Sequence, residues 1–322
     1  MGLVLRVVSF YWSDPPVLRS AFIALSQSKP LRRFSEQSSL GRRMSSRFVA
    51  GMSVEEVLRA AESVNQQGMS ASLDSLGENV SSPDEAQRAA DIYHRLLDAI
   101  ALRGLDANVS VKLTQIGMDL DPALAERIVS ELVGHAARAG SFVRVDMEGT
   151  PYTEQTIALV ERVHPLPGNA GRVGTVIQSY LYRSEADIAR LLQQGIRIRL
   201  CKGAYKEGPE HAFPAKADVD SNYVKLMKTL VTSGVFCGIA THDETIIGQM
   251  KQFVRQSGVD RKAFEFQMLY GVRRDLQRQL VDEGFGVRVY IPFGTEWYPY
   301  FMRRLAERPA NVLFIAKQML KK

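Results

Sequence analysis

From residue 69 onward the chain alternates between short apolar runs and longer amphipathic stretches. The runs lie at 69–73, 109–113, 142–147, 173–179, 196–201, 235–241, 263–269 and 287–291, and they start 23 to 40 residues apart. They are rich in Val, Ile and Phe, residues that suit a pleated, packed strand. Each gap holds a stretch with helix start and stop signals. Ser82-Pro83 opens one, with Glu85 spaced to complete a capping box, and it closes near Gly104. Asp121-Pro122 opens the next, which closes at Gly140, and Ser184 to Gly195, Asp220 to Gly234 and Asp243 to Gly258 repeat the pattern. Proline at the first helical position and glycine just past the end is the asymmetry that helices prefer. Eight strands alternating with helices predict an α/β fold with a parallel sheet. Their even spacing over about 240 residues favours closure into a (β/α)8 TIM-like barrel, with an open doubly wound sheet as the alternative.

Residues 1–66 read differently. A helical pattern covers 17–34, interrupted by Pro30, and a second helix covers 53–66 with Ser53 as N-cap and Glu56 at capping-box spacing. The basic run 40–47 joins them. We expect an N-terminal helical segment over 1–66 that packs on a barrel over 67–322, forming one folded domain.

Composition narrows the class without choosing the chemistry. Hydrophobic residues make up 45% and charged residues 24% of the 322, ordinary values for a soluble globular protein. A net charge of +6, spread along the chain, does not argue for nucleic acid. It suits an anionic substrate, or peripheral contact with an anionic membrane surface. No apolar run reaches the ~18 residues of a membrane span. The apolar start contains Arg6 and lacks a clear small-residue cleavage site, so the expected location is cytoplasmic, with membrane contact only at the inner face. Cys201 and Cys237 sit in apolar runs with no metal-ligand spacing, and we expect buried thiols in a reducing compartment. Gly284-Phe285-Gly286 precedes a strand, so it cannot set a helix N-terminus on a pyrophosphate.

Barrel enzymes carry their chemistry at the carboxyl ends of the strands. Strand two ends with Lys112 inside an apolar run, where it lines a polar cavity or faces water. Strand three ends with Asp146, two residues on from Arg144. Strand four ends with Gln178, able to bond a polar ring edge or a backbone group. Strand five is densest: Arg199, Lys202, then Gly203-Ala204, a turn that lets backbone approach a ligand closely, and Tyr205. Strand six ends Thr241-His242-Asp243. Tyr290 stands on strand eight, and the last helix places Tyr300 on a face with Arg303 and Arg304. Five histidines and no spaced carboxylate pair beside His242 argue against a metal site. These residues describe a cationic pocket with one central acid and aromatic walls. It would take a small anionic substrate and a phosphate-bearing cofactor. A lyase of the same fold, or a non-catalytic binding barrel, would share parts of it.

Eight ordered motifs carry a resemblance: VKLTQIG at 111–117, VRVDMEG at 143–149, IQSYL at 177–181, RLCKGAYKE at 199–207, ATHD at 240–243, FEFQMLYG at 264–271, RVYIPFG at 288–294 and YFMRRLAE at 300–307. Over about residues 65–315 the chain resembles the proline dehydrogenases, in their short bacterial monofunctional form. The resemblance implies oxidation of L-proline to 1-pyrroline-5-carboxylate by hydride transfer from C5 to N5 of FAD. Electrons then pass to a membrane quinone, in the first step of proline degradation to glutamate. A separate pyrroline-5-carboxylate dehydrogenase would take the product, since the second dehydrogenase and DNA-binding domains of the multifunctional relatives have no counterpart. The resemblance places Arg303, Arg304 and Lys112 on the proline carboxylate, and Leu269, Tyr290 and Tyr300 on its ring. Glu78 becomes an acidic gate that pairs with Arg303. Asp146 holds Lys112 and the local network. Gln178 and Arg199 bond the isoalloxazine edge, and Met147, Lys202, Gly203, Ala204, Tyr205, Thr241 and His242 hold the rest of FAD. Asp146, Arg199 and Lys112 are the implied catalytic residues.

Overall fold

The computed structural model describes residues 45–307, with side chains over 45–302. The helix expected over 17–34 and most of the basic run 40–47 lie outside the described residues. The described residues fall into a barrel body, Arg47–Thr295, and part of a second compact body that contains the last helix.

In the barrel body, helix α1 (Val54–Asn65) leads into strand β1 (Ser70–Ser75). Seven αβ units follow: α2 (Pro83–Arg103) and β2 (Ala107–Lys112), α3 (Pro122–Arg138) and β3 (Val143–Asp146), α4 (Thr150–Val163) and β4 (Val173–Gln178), α5 (Ser184–Gln193) and β5 (Arg197–Cys201), α6 (Lys216–Thr232) and β6 (Cys237–Ala240), α7 (Glu244–Ser257) and β7 (Phe264–Leu269), α8 (Arg274–Asp282) and β8 (Gly286–Phe293). The strands pair in parallel in sequence order, and β8 closes on β1. The eight apolar runs of the sequence are these eight strands, within a few residues at each end. Helix α9 (Trp297–Glu307) belongs to the second body, where Trp297 packs edge-on against Tyr298 and Phe301.

The strands are two-faced. Leu73, Val109, Val111, Val143, Val145, Ile198, Leu200, Ile239, Phe266, Val289 and Ile291 are all buried in one apolar cluster with the inner faces of the helices. Each such side chain contributes about 1.5–3 kcal/mol of burial. The alternate positions point into the barrel, and one contact shows it: the Arg199 guanidinium on β5 touches side chains of β1, β2, β3 and β7. Only the interior of a closed barrel brings those strands within reach of one side chain. Barrel interiors are usually filled with Val, Ile and Leu, whereas this one is polar and charged.

The helix starts follow the capping logic with two corrections. Ser53 and Glu56 form the full capping box of α1, and Asp121 and Asp243 cap α3 and α7. At α2 the Ser82 side chain accepts from Glu85 N–H, but the Glu85 carboxylate turns outward to the amide and hydroxyl of Ser81. The box is therefore half formed, because Ser81 offers Glu85 two donors together. Helix α6 begins at Lys216 and not at Asp220; Asp220 lies inside it and bonds Lys202 and Lys216. Cys201 and Cys237 are free thiols. Among the described residues no helix is long and apolar enough to cross a membrane.

Candidate active site at the carboxyl ends of the strands

The ends of β1 and β2 place a fully buried Asp74 beside Lys112, whose Nζ lies 3.1 Å from both carboxylate oxygens. Burial raises the Asp74 pKa, against the pull of the lysine charge. Burial alone would lower Lys112, but Asp74, Asp146 and Glu78 outweigh it and hold the ammonium well above the ordinary lysine value. Lys112 therefore lines the polar interior and stays charged. The expectation that Asp146 holds Lys112 is corrected: Asp74 holds it, and Asp146 acts on it only through space. The site has two central acids where the sequence reading found one.

Asp146, at the end of β3, organises a second cluster. Its Oδ1 accepts from Ser110 Oγ at 2.7 Å and from the Arg199 guanidinium at 3.0 Å, and its Oδ2 accepts from the Tyr290 phenol at 2.8 Å. The Arg199 guanidinium also lies 5.2 Å from the centroid of the Tyr290 ring, so one tyrosine gives a hydrogen bond to the acid and a cation–π face to the base. Burial, with Asp146 and Asp74 nearby, pushes the Tyr290 pKa well above that of a free phenol. The hydroxyl thus remains a donor at any physiological pH.

The loops after the strands add the rest of the rim. Gln178 is 2% exposed; it gives one N–H to the Glu148 carbonyl at 2.9 Å, and no described residue donates to its Oε1. Met147 is buried, and its neighbour Glu148 accepts from the amide and hydroxyl of Thr114. Burial raises the Glu148 pKa against those two bonds. Lys202 spends two donors on Asp220 (2.5 Å) and Asp243 (2.9 Å). Gly203 has φ +118°, and a Cβ there would fall 2.0 Å from the Tyr180 ring; glycine is required twice over. Ala204 is exposed and Tyr205 half-buried. Thr241 Oγ1 accepts from Asp243 N–H, and His242 Nε2 accepts from Leu269 N–H at 2.9 Å. A ring nitrogen that accepts carries no proton, so a neutral His242 has its proton on Nδ1.

The barrel body thus gathers Asp146, Arg199 and Tyr290 into one hydrogen-bonded network, with the Asp74–Lys112 pair beside it and coupled to it through space. A second, looser group forms from Lys202, Thr241, His242 and Leu269. Glu78 is half-buried in the β1–α2 loop, close enough to influence Lys112 and Glu148. Tyr300 lies on α9, and the side chains of Arg303 and Arg304 lie outside the described ones. Among the described residues no group of three His, Cys, Asp or Glu could hold a metal ion. Sequence reasoning missed Asp74, Ser72, Ser110, Glu265 and Gln267. Their signal was present: Ser72 and Asp74, Ser110 and Lys112, and Glu265 and Gln267 are polar at alternate positions, each pair separated by one apolar residue.

The donor set fits a flavin. A buried amide with an N–H and an Oε1 to spare matches a ring edge of alternating donors and acceptors. The one ammonium donor that Lys202 keeps beyond Asp220 and Asp243, with the backbone of the Gly203-Ala204 turn, suits a phosphate oxygen.

The family model described as proline dehydrogenase matches residues 57–317. Proline dehydrogenase 1 of Bacillus subtilis subsp. natto is 40% identical over 307 residues, covering 95% of this chain and 100% of that protein. Proline dehydrogenase of Deinococcus radiodurans is 40% identical over 312 residues, covering 94% and 98%. Bifunctional protein PutA of Klebsiella aerogenes is 28% identical over 316 residues, with 85% of this chain but only 24% of that protein covered. The solved structure of PutA from Bdellovibrio bacteriovorus superposes with a TM-score of 0.79 at 24% identity, over 90% of this chain and 36% of the other, which shows the same fold. The family's model spans most of the chain and two of its members align with nearly all of it, so the chain belongs to the proline dehydrogenase family.

Proposed function

We propose that this protein oxidises L-proline to 1-pyrroline-5-carboxylate with FAD bound at the carboxyl end of the barrel. The observation that carries the reading is the Asp146–Arg199–Tyr290 network on strands β3, β5 and β8, with the buried Lys112 of β2 beside it. It offers fixed positive charge and an aromatic wall in one place, as a small anionic substrate and an electron-accepting ring require. The chemistry a bound flavin supplies is two-electron oxidation: proline gives up a hydride from C5 and a proton from nitrogen and leaves as the imine.

The protein's part is binding, orientation and electrostatics. Lys112, kept charged by Asp74, pairs with the proline carboxylate. Tyr290 and Leu269 wall the pyrrolidine ring. Asp146 fixes Arg199 and Tyr290 together, so both are in place before substrate arrives and little reorganisation remains for the reaction itself. Arg199 and Gln178 hold the isoalloxazine edge; Met147, Lys202, Gly203, Ala204, Tyr205, Thr241 and His242 hold the remainder of FAD. The roles of Tyr300, Arg303 and Arg304 toward substrate, and of Glu78 as a gate, rest on the family resemblance. Electrons leave to a quinone through peripheral contact with a membrane. The product passes to a separate pyrroline-5-carboxylate dehydrogenase on the way to glutamate.

Anaerobic titration tests the reading. Protein reconstituted with FAD should be yellow, and proline should bleach it. A chain that takes up no FAD, or a bound flavin that proline leaves oxidised, would overturn it.

A further inference from the structure

Below the network already described, a chain of four side chains runs through the barrel interior from its amino-terminal side to Arg199. Arg288 Nε donates to Glu265 Oε1 at 2.6 Å. Gln267 Nε2 donates to the same oxygen at 2.7 Å. Arg199 Nε donates to Gln267 Oε1 at 2.5 Å. Gln267, Glu265 and Arg199 are all buried. Arg288 is itself anchored, with its guanidinium on the Ala71 carbonyl at 2.8 Å.

The chemistry of the two ends gives this chain a direction. An ionised carboxylate only accepts and a guanidinium only donates. Gln267 must therefore turn its NH2 to Glu265 and its oxygen to Arg199; the flipped amide would lose both bonds. The backbone makes room for this. Gly238 on β6 stands beside Arg199 on one side and Glu265 on the other in the strand register. A Cβ at Gly238 would fall 2.4 Å from Gln267 Nε2. The sheet thus carries a glycine where any side chain would break the connection.

We propose that Gln267 and Glu265 are positioning residues for Arg199. They fix the plane of its guanidinium and set how much positive charge it presents at the carboxyl end of the barrel. The inference rests on the flavin reading above, since its target is the residue assigned to the flavin ring. Asp146 and Ser110 accept from Arg199 NH1, and Ser72 accepts from NH2. Gln267 supplies the bond at Nε, the shortest of the four, and it alone ties the guanidinium to the charged Glu265–Arg288 pair below.

A swap separates positioning from simple support. Gln267→Glu with Glu265→Gln keeps the net charge and permits every hydrogen bond in the chain, but moves the carboxylate next to Arg199. The swapped protein should fold, bind FAD and unfold near the wild-type midpoint. Its bound flavin should become harder to reduce by at least tenfold in the reduction equilibrium, about 30 mV for a two-electron couple. Gln267→Met, which keeps volume but leaves Arg199 Nε without its partner, should lower kcat roughly tenfold with KM for proline little changed. It supplies the answer if the swap does not fold. A swapped protein with FAD bound and an unmoved potential would overturn the proposal. So would a Gln267→Met protein with wild-type kcat, KM and flavin spectrum. A wild-type chain that binds no FAD would instead sink the underlying reading.

Discussion

Tyr290 on β8 donates its phenol to Asp146 on β3 across the barrel, at 2.8 Å, while its ring lies against the Arg199 guanidinium that binds the same carboxylate. Three residues from three strands therefore hold one another. Hydrogen bonds to charged groups contribute about 1.5–3 kcal/mol. Tyr290→Phe keeps the ring and removes only the hydroxyl, leaving Asp146 Oδ2 without its donor. The variant should lose about 1–3 kcal/mol of stability in urea unfolding and should also lose kcat/KM for proline. An unchanged unfolding midpoint would mean that the phenol is not part of the network's support.

Alkaline pH should expose the burial of Cys237. Its thiol is pushed up to about 12 by burial, from an ordinary 9.0. Between those values the unfolded chain has lost the proton that the folded chain keeps, so the unfolded state gains on the folded one. The contribution is fully present below the unfolded pKa and is lost as pH rises toward the folded one. One proton corresponds to about 1.4 kcal/mol per pH unit. Wild type should therefore lose roughly 1 kcal/mol more than Cys237→Ala between pH 8 and pH 10. Urea unfolding of both proteins at the two pH values checks this, and equal losses would contradict it.

Most of the fold was legible because helices and strands differ in period and the caps are written in the sequence. Ser53-Glu56, Asp121-Pro122 and Asp243 each mark a helix start that the structure keeps. Asp220 misled because a carboxylate near a helix start serves equally as a cap or as a partner for a lysine, and Lys202 lies across the loop. Within the site, Lys112, Asp146, Arg199 and Tyr290 stood out as charges or rings in apolar runs. Asp74, Ser110 and Gln267 did not, since polar alternation in a strand normally marks a solvent face. In this closed barrel the polar face is the inside one. Which carboxylate meets Lys112 depends on the stagger between β1 and β2, where Asp74 pairs with Ser110, and stagger is not written in either strand alone.

Gly203 should tolerate no side chain. Its φ of +118° and the Tyr180 ring 2.0 Å from a built Cβ make two separate objections to alanine. Alanine at positive φ is destabilising wherever it occurs, so Gly195→Ala is the control: φ is +70° there, with nothing within 4 Å of the Cβ. Gly195→Ala should cost about 1 kcal/mol and keep its flavin. On the proposed reading, in which this turn offers backbone to FAD, Gly203→Ala should also lose FAD on gel filtration, because the turn must move. Equal flavin content in the two variants would separate Gly203 from cofactor binding.

The Asp74–Lys112 pair should behave as a unit. Both groups are buried, with side chains 0% and 11% exposed, so removing one strands the other. Breaking a buried pair in this way costs about 3–5 kcal/mol, whereas removing both charges together often costs far less. Asp74→Asn leaves the Lys112 ammonium in low dielectric with only Asp146 and Glu78 acting at a distance. Lys112→Met leaves a carboxyl whose pKa burial already raises, now without the charge that opposed the rise. That acid can escape its penalty by taking up a proton. Its folded pKa lies above its unfolded one, so stability is retained at low pH and lost as pH rises through that window. Lys112→Met should accordingly be closer to wild type at pH 5 than at pH 8. Asp74→Asn should show no such acid recovery. The double variant should be more stable than the sum of the two single losses allows. Urea unfolding of the four proteins at both pH values gives the coupling directly. Additive losses at pH 8, or a Lys112→Met deficit that ignores pH, would show that Asp74 and Lys112 do not depend on each other.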